Sequence, residues 1–168
     1  GNQIEQYKAE IDRLQKEKEQ MAGEKLQEEA ELRAKIDLIN ILKENADIQL
    51  LSKPVVSWVE ALNNGSFDEA YAVEFEGVPQ KDRNVSLSTY VEQMESTVQK
   101  IEITEVRVDR YRGSSSGEIY LNVKLNVRLA ENADKSVSRF AEGENEIYVK
   151  LDYSKEKKGF IISSINIY

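Results

Sequence analysis

Along the first fifty positions the apolar residues recur at the spacing of a helix seam. From Asn2 to Leu51 there is no proline, the one interior glycine is Gly23, and good helix formers dominate. A single heptad frame runs through the segment. It places Ile4, Ile11, Lys18, Lys25, Leu32, Ile39 and Ala46 at a positions, and Tyr7, Leu14, Met21, Glu28, Lys35, Leu42 and Gln49 at d positions. The apolar members group at the two ends, leaving a polar middle from Lys18 to Lys35 interrupted by Met21 and Leu32. At the helical rise per residue, the pattern predicts a stalk roughly 75 Å long. A lone helix exposing such a stripe is marginal, so self-association is expected to bury Ile4, Tyr7, Ile11, Leu14, Met21, Leu32, Ile39 and Leu42. A solvated single helix is the competing reading. Ile36, Leu38 and Ile41 make the far end apolar on more than one side, which predicts contact with a globular domain as well.

Ser52-Lys53-Pro54 reads as a break, with Pro54 in the first turn of a new helix, so the stalk is expected over 1–51 and the domain over 52–168. Val55, Val56, Trp58, Val59 and Leu62 give a short amphipathic helix stopped by Asn63-Asn64-Gly65. Ser66-Phe67-Asp68-Glu69 has the form of a capping box opening a second helix through Tyr71 and Val73. A loop covers about 76–88. A third helix is predicted at about 88–99, with Tyr90, Val91, Met94 and Val98 on one face.

Beyond residue 100 the period changes from 3.6 to 2. Ile101 and Ile103 alternate, then Val106 and Val108 continue on the other parity, implying a bulge near Thr104-Glu105. Ile119 to Leu129 and Ile147 to Tyr153 alternate without interruption, and Glu156-Lys157-Lys158-Gly159 turns the chain into a last strand, Phe160–Tyr168. Four strands joined as hairpins, apolar on one face, predict an α+β fold in which three helices cover a bent antiparallel sheet.

The segment Val56-Ser57-Trp58-Val59-Glu60-Ala61-Leu62-Asn63-Asn64-Gly65-Ser66-Phe67-Asp68-Glu69-Ala70-Tyr71, with the closing Gly159-Phe160-Ile161-Ile162-Ser163-Ser164-Ile165, resembles the nuclear-transport-factor-2-like (NTF2-like) superfamily of cystatin-like α+β rolls. The likeness covers about residues 54–168 and rests on helix-packing residues, so it implies a fold and no activity. A long helix ahead of such a domain resembles extracytoplasmic parts of bacterial envelope proteins, including conjugation-associated assembly factors. The resemblance implies an anchored protein that works with an envelope-complex partner.

Composition narrows the chemistry. The chain has 32% charged residues, a net charge of −8 and a pI near 4.8, which disfavours nucleic acid and a basic membrane-surface helix. No stretch is long and apolar enough to span a bilayer, so a membrane is expected only through an anchor upstream. The opening Gly1-Asn2 reads as a truncation point on that view. Cysteine and histidine are both absent, which removes thiol catalysis, histidine acid–base work and Cys/His zinc sites; no cofactor or metal is expected.

Family enzymes place a general base in the cone between helices and sheet, either Asp with Tyr or His with Asp. Without histidine, the resemblance leaves Tyr71 with Glu74, or Tyr90 with Asp68, as the pairs to consider. Against them, Asp68 and Glu69 suit the N-terminus of their own helix, and the inward strand positions carry no acid. The cone is expected to be packed or greasy, with a small apolar ligand as the alternative function and an isomerase-like activity behind it. Trp58 reads as a core anchor. The outward strand face, with Tyr120, Asn122, Lys124, Asn126, Arg128 and Tyr148, is a candidate subunit interface. Arg112-Gly113-Ser114-Ser115-Ser116-Gly117 lacks the lysine and following helix of a phosphate loop and reads as a hairpin turn. The principal expectation is a non-catalytic assembly module that forms homo-oligomers.

Overall fold

The computed structural model describes residues 1–167, so the expected end of the last strand at Tyr168 lies outside the described residues. Helix α1 runs Asn2–Glu44, α2 Ile48–Asn63, α3 Phe67–Glu74 and α4 Leu87–Thr97, with a short 3-10 turn at Gln80–Asp82. Strands β1 (Val98–Asp109), β2 (Ile119–Leu129), β3 (Gly143–Ser154) and β4 (Gly159–Ile167) follow, paired antiparallel in the order β1-β2-β3-β4.

The first break falls earlier than Pro54. The helix stops at Glu44, and the Asp47 carboxylate accepts from the backbone N–H of Gln49 (3.0 Å) and Leu50 (3.4 Å), starting α2 at Ile48. Asp and Asn compete for local backbone bonds and so favour such a cap over a helix interior. Pro54 therefore lies inside α2, where its missing N–H removes one intrahelical bond near the exposed Leu50. With the break at 45–47, Ala46 and Gln49 drop out of the stalk frame, and α1 is about 65 Å long.

Asn63-Asn64-Gly65 closes α2 with paired backbone bonds, Ser66 N–H to Ala61 O (2.9 Å) and Gly65 N–H to Leu62 O (3.2 Å). That geometry needs Gly65 at φ 73, the left-handed region that glycine enters without the backbone strain a side chain brings. The Asn63 amide makes a second junction, donating to Ile101 O and accepting from Ile101 N–H, both at 2.8 Å, and thus ties the end of α2 to β1. The capping box expected at Ser66 does not form. Ser66, at φ −87 and ψ 64, lies off the extended cap conformation and makes no side-chain cap bond, and its N–H, which Glu69 would have to reach, is taken by Ala61 O.

The sheet's inner face is built from Leu121, Val123, Leu125 and Val127 of β2, facing Ile147, Val149 and Leu151 of β3, all buried. Register shifts at Ile103/Glu105, as expected, move Val106 and Val108 onto the face that Ile101 and Ile103 held. Two further shifts, at Val98/Lys100 and Lys150/Leu151, carry no mark in the strand pattern. Val55, Trp58, Val59 and Leu62 of α2, Ala70 and Tyr71 of α3, and Tyr90 and Met94 of α4 complete one core. Burying this many large side chains, each contributing roughly 1.5–3 kcal/mol, is what holds the helices on the sheet.

Candidate functional site

Residues 2–35 of α1 are all exposed. Ile4, Tyr7, Ile11, Leu14, Met21 and Leu32 lie along this free length, each at least half exposed. Ion pairs within one helix run beside the seam, from Arg13 to Glu10, from Arg13 to Glu17 at 2.8 Å, and from Lys16 to Asp12 at 3.1 Å. Exposed to solvent, such pairs contribute little, so they support a helix without accounting for its order.

Contact with the domain begins at Ile36, which is buried. Ile36 and Ile39 press on the turn between β1 and β2, where a Cβ on Gly117 would meet Ile36 Cγ1 at 3.2 Å and Ile39 Cδ1 at 3.3 Å. Asn40 Nδ2 donates to Ser114 O at 2.8 Å in the same turn. Ile39 is therefore engaged with the domain, whereas Leu42, Leu38 and Ile41 stay exposed. Of the eight seam residues, six sit on the free shaft and two at its foot.

All six predicted sheet-face residues share the outward side of β2 and β3, with Asn122 opposite Tyr148 and Lys124 opposite Glu146. Much of that face is satisfied within the chain. Lys124 pairs with Glu105 (3.4 Å) and Glu144 (3.9 Å), and the Arg112 guanidinium lies 3.9 Å from the Tyr148 ring centroid. Asn126 and Arg128 remain exposed.

The interior between helices and sheet does hold an acid, from a helix and not from a strand. Glu74 of α3 is only 4% exposed. Tyr90 OH donates to its Oε1 at 3.0 Å, and Arg139 Nη1 pairs with the same oxygen at 2.7 Å. Trp58 Nε1 donates in turn to Tyr90 Oη at 3.0 Å. Neither proposed acid–tyrosine pair forms. Asp68 is exposed, and Tyr71 OH donates to Val85 O at 2.8 Å. Burial, then the neighbouring Glu74 carboxylate, pushes the Tyr90 phenol well above its ordinary range. Burial works against the Arg139 charge, yet the Glu74 carboxylate more than offsets it and holds the guanidinium's pKa up. Both donors converge on one Glu74 oxygen, which makes the cluster a locked structural bridge between α2, α3, α4 and the loop ahead of β3. A cleft of about 460 Å³ opens outside it, lined by Gln93, Ser163 and Asn166 as well as Glu74, Tyr90 and Arg139.

Sequence reading missed Arg139 entirely, since a loop arginine carries no periodic signal. It also missed Lys43, a buried cation at the foot of α1 that falls outside the heptad seam. Among the described residues no group of three or more His, Cys, Asp or Glu could hold a metal ion, and no helix is long and apolar enough to cross a membrane. Comparison with known proteins finds no match: no protein-family model fits the chain, and no curated protein or solved structure is similar to it.

Proposed function

We propose that the protein is a non-catalytic assembly module, an NTF2-like domain whose α1 self-associates and sets the spacing between the domain and its point of attachment. One observation carries this reading. The a and d side chains from Ile4 to Leu14 stand on a shaft that no part of the domain covers, with Ile4 at 58% and Leu14 at 50% exposure. Two such stripes side by side would remove those side chains from water, at roughly 25 cal/mol per Å² buried, whereas a single helix leaves them wet. An attachment outside the cytoplasm, in a bacterial envelope assembly, is the setting that a stalked domain of this build fits. The Glu74 cluster supports the non-catalytic part, because its donors are spent on each other.

Light scattering tests the proposal. The intact chain is expected to give a mass above 19.2 kDa, and Ile4→Glu with Ile11→Glu and Leu14→Glu to return it to the monomer value. The chain has no cysteine, so Leu14→Cys reports orientation cleanly. A parallel in-register pair brings the two Cβ atoms within disulfide reach and gives a covalent dimer on oxidation. A monomer at every concentration refutes the proposal.

A further inference from the structure

With the sheet ordered β1-β2-β3-β4, β1 is an edge strand, and one part of its outer edge is closed. Ile101 turns its N–H and C=O away from β2 and bonds both to the Asn63 amide at 2.8 Å. In an antiparallel ladder, residues bonded to the partner strand alternate with residues that face away from it. Ile103 therefore faces away like Ile101. The register shift between Ile103 and Glu105 sets Glu105 opposite Lys124 and Val106 opposite Val123. Past that bulge the alternation turns the N–H and C=O of Val106 and Val108 outward, while Arg107 bonds to β2. Among the described residues, no backbone bond joins Val106 or Val108 to anything outside the sheet.

A cleft of about 720 Å³ lies beside this free length, between β1, the foot of α1 and the start of α2. Its two sides differ. Val106 and Val108, half-buried on the inner face of β1, share the lining with Ala46 and Ile48, also half-buried. Arg107 stands on the outward face opposite Asn122, and Arg110 just past the end of the strand; both are exposed, and neither is in an ion pair among the described residues. The lining as a whole carries four cations and one acid. Lys43 is shielded, and Arg112 is held by Asp109, 3.7 Å from its Nε, and by the Tyr148 ring. Glu105, next along the outward face, is spent on Lys124 at 3.4 Å. Arg107 and Arg110 remain with no acid in the lining to meet them, on a chain whose net charge is −8.

We propose that an extended segment of a partner protein, in which acidic and apolar residues alternate, adds to β1 here as a further strand. Side chains of a strand alternate between faces, so an edge that is apolar below and cationic above is complementary to that one pattern. The segment's backbone bonds to Val106 and Val108, its apolar side chains cover the inner lining, and its carboxylates meet Arg107 and Arg110. Tyr111, 88% exposed in the same lining, gives it an aromatic surface to cover. The site draws on neither the Glu74 cluster nor the stalk seam, so it is tested separately from self-association.

Fluorescence polarisation of the full chain with three labelled peptides decides the matter: Asp-Val-Asp-Val-Asp-Val, the same residues with the acids grouped together, and Lys-Val-Lys-Val-Lys-Val. The alternating acidic peptide is expected to bind at least about tenfold tighter than either of the others, and less tightly as salt is raised. Arg107→Glu with Arg110→Glu, both at exposed positions, should abolish that preference with the fold intact by circular dichroism. Bound peptide should slow hydrogen exchange at the N–H of Val106 and Val108, while Arg107, already bonded to β2, changes little. Equal affinity for the grouped peptide would reduce the site to a charge patch, and equal affinity for the lysine peptide would remove the arginines from it. Binding by none of the three would mean that the arginines only guard the edge against pairing. Each of these overturns the proposal, as does an unchanged preference in the double variant or unaltered exchange at Val106 and Val108.

Discussion

Replacing Arg139 with Met keeps an unbranched stem of the side chain and removes the guanidinium that faces Glu74. What remains is a carboxylate 4% exposed, with Tyr90 OH as its remaining donor. Breaking a buried ion pair from one side costs about 3–5 kcal/mol. The Arg139 side chain is 21% exposed and lines the adjacent cleft, so the cost is discounted below that range, to about 2–3 kcal/mol. Glu74→Gln is milder, about 1 kcal/mol, because the amide oxygen still accepts from Tyr90 and the freed guanidinium can reach solvent. In the double variant no charge is stranded, so its cost should also be about 1 kcal/mol, far below the sum of the two. Urea unfolding reads all four proteins, with circular dichroism beside the fluorescence of Trp58, the single tryptophan and a member of the cluster. A double variant as destabilised as the sum of the singles, or an Arg139→Met cost under about 1 kcal/mol, would show that the pair is not the bridge described.

Two other outcomes follow from the same structure. Gly65→Ala meets no neighbouring atom, so its cost is backbone strain alone, about 1–2 kcal/mol in urea unfolding, and Gly65→Asn should recover part of it. Stability should also fall on the alkaline side. The folded Tyr90 phenol has its pKa raised, so its contribution is complete below the unfolded value near pH 10 and is lost as pH rises through and beyond it. Tyr90→Phe should flatten that alkaline limb while lowering stability at neutral pH, since Trp58 Nε1 and Glu74 both lose a partner; an equally steep limb in the variant would remove Tyr90 as its source.

Local and periodic features were legible from the sequence. The heptad spacing of Ile4, Tyr7, Ile11 and Leu14 marked a helix, and uninterrupted alternation from Ile119 to Leu129 marked a strand with one wet face. Asn63-Asn64-Gly65 marked a helix end, and the parity change after Ile103 marked a bulge. Each is set by backbone geometry within a few residues, so neighbours in the chain suffice to reveal it. The missed break at Asn45–Asp47 shows the limit of that logic, because an Asp cap with no proline or glycine looks the same as one more polar helix position.

Only the tertiary structure decided which polar groups meet. Glu74 and Arg139 are 65 residues apart, and Tyr90 reached Glu74 and not Asp68 because α3 turns its Glu74 side inward and leaves Asp68 in water. Lys43 sits on a helix of charged residues that are otherwise exposed. Nothing in its neighbours marks it as the one that the β1–β2 turn would enclose. Periodicity records which face of an element is apolar; the pairing of charges across elements depends on how those faces are brought together, and no local pattern encodes that distance.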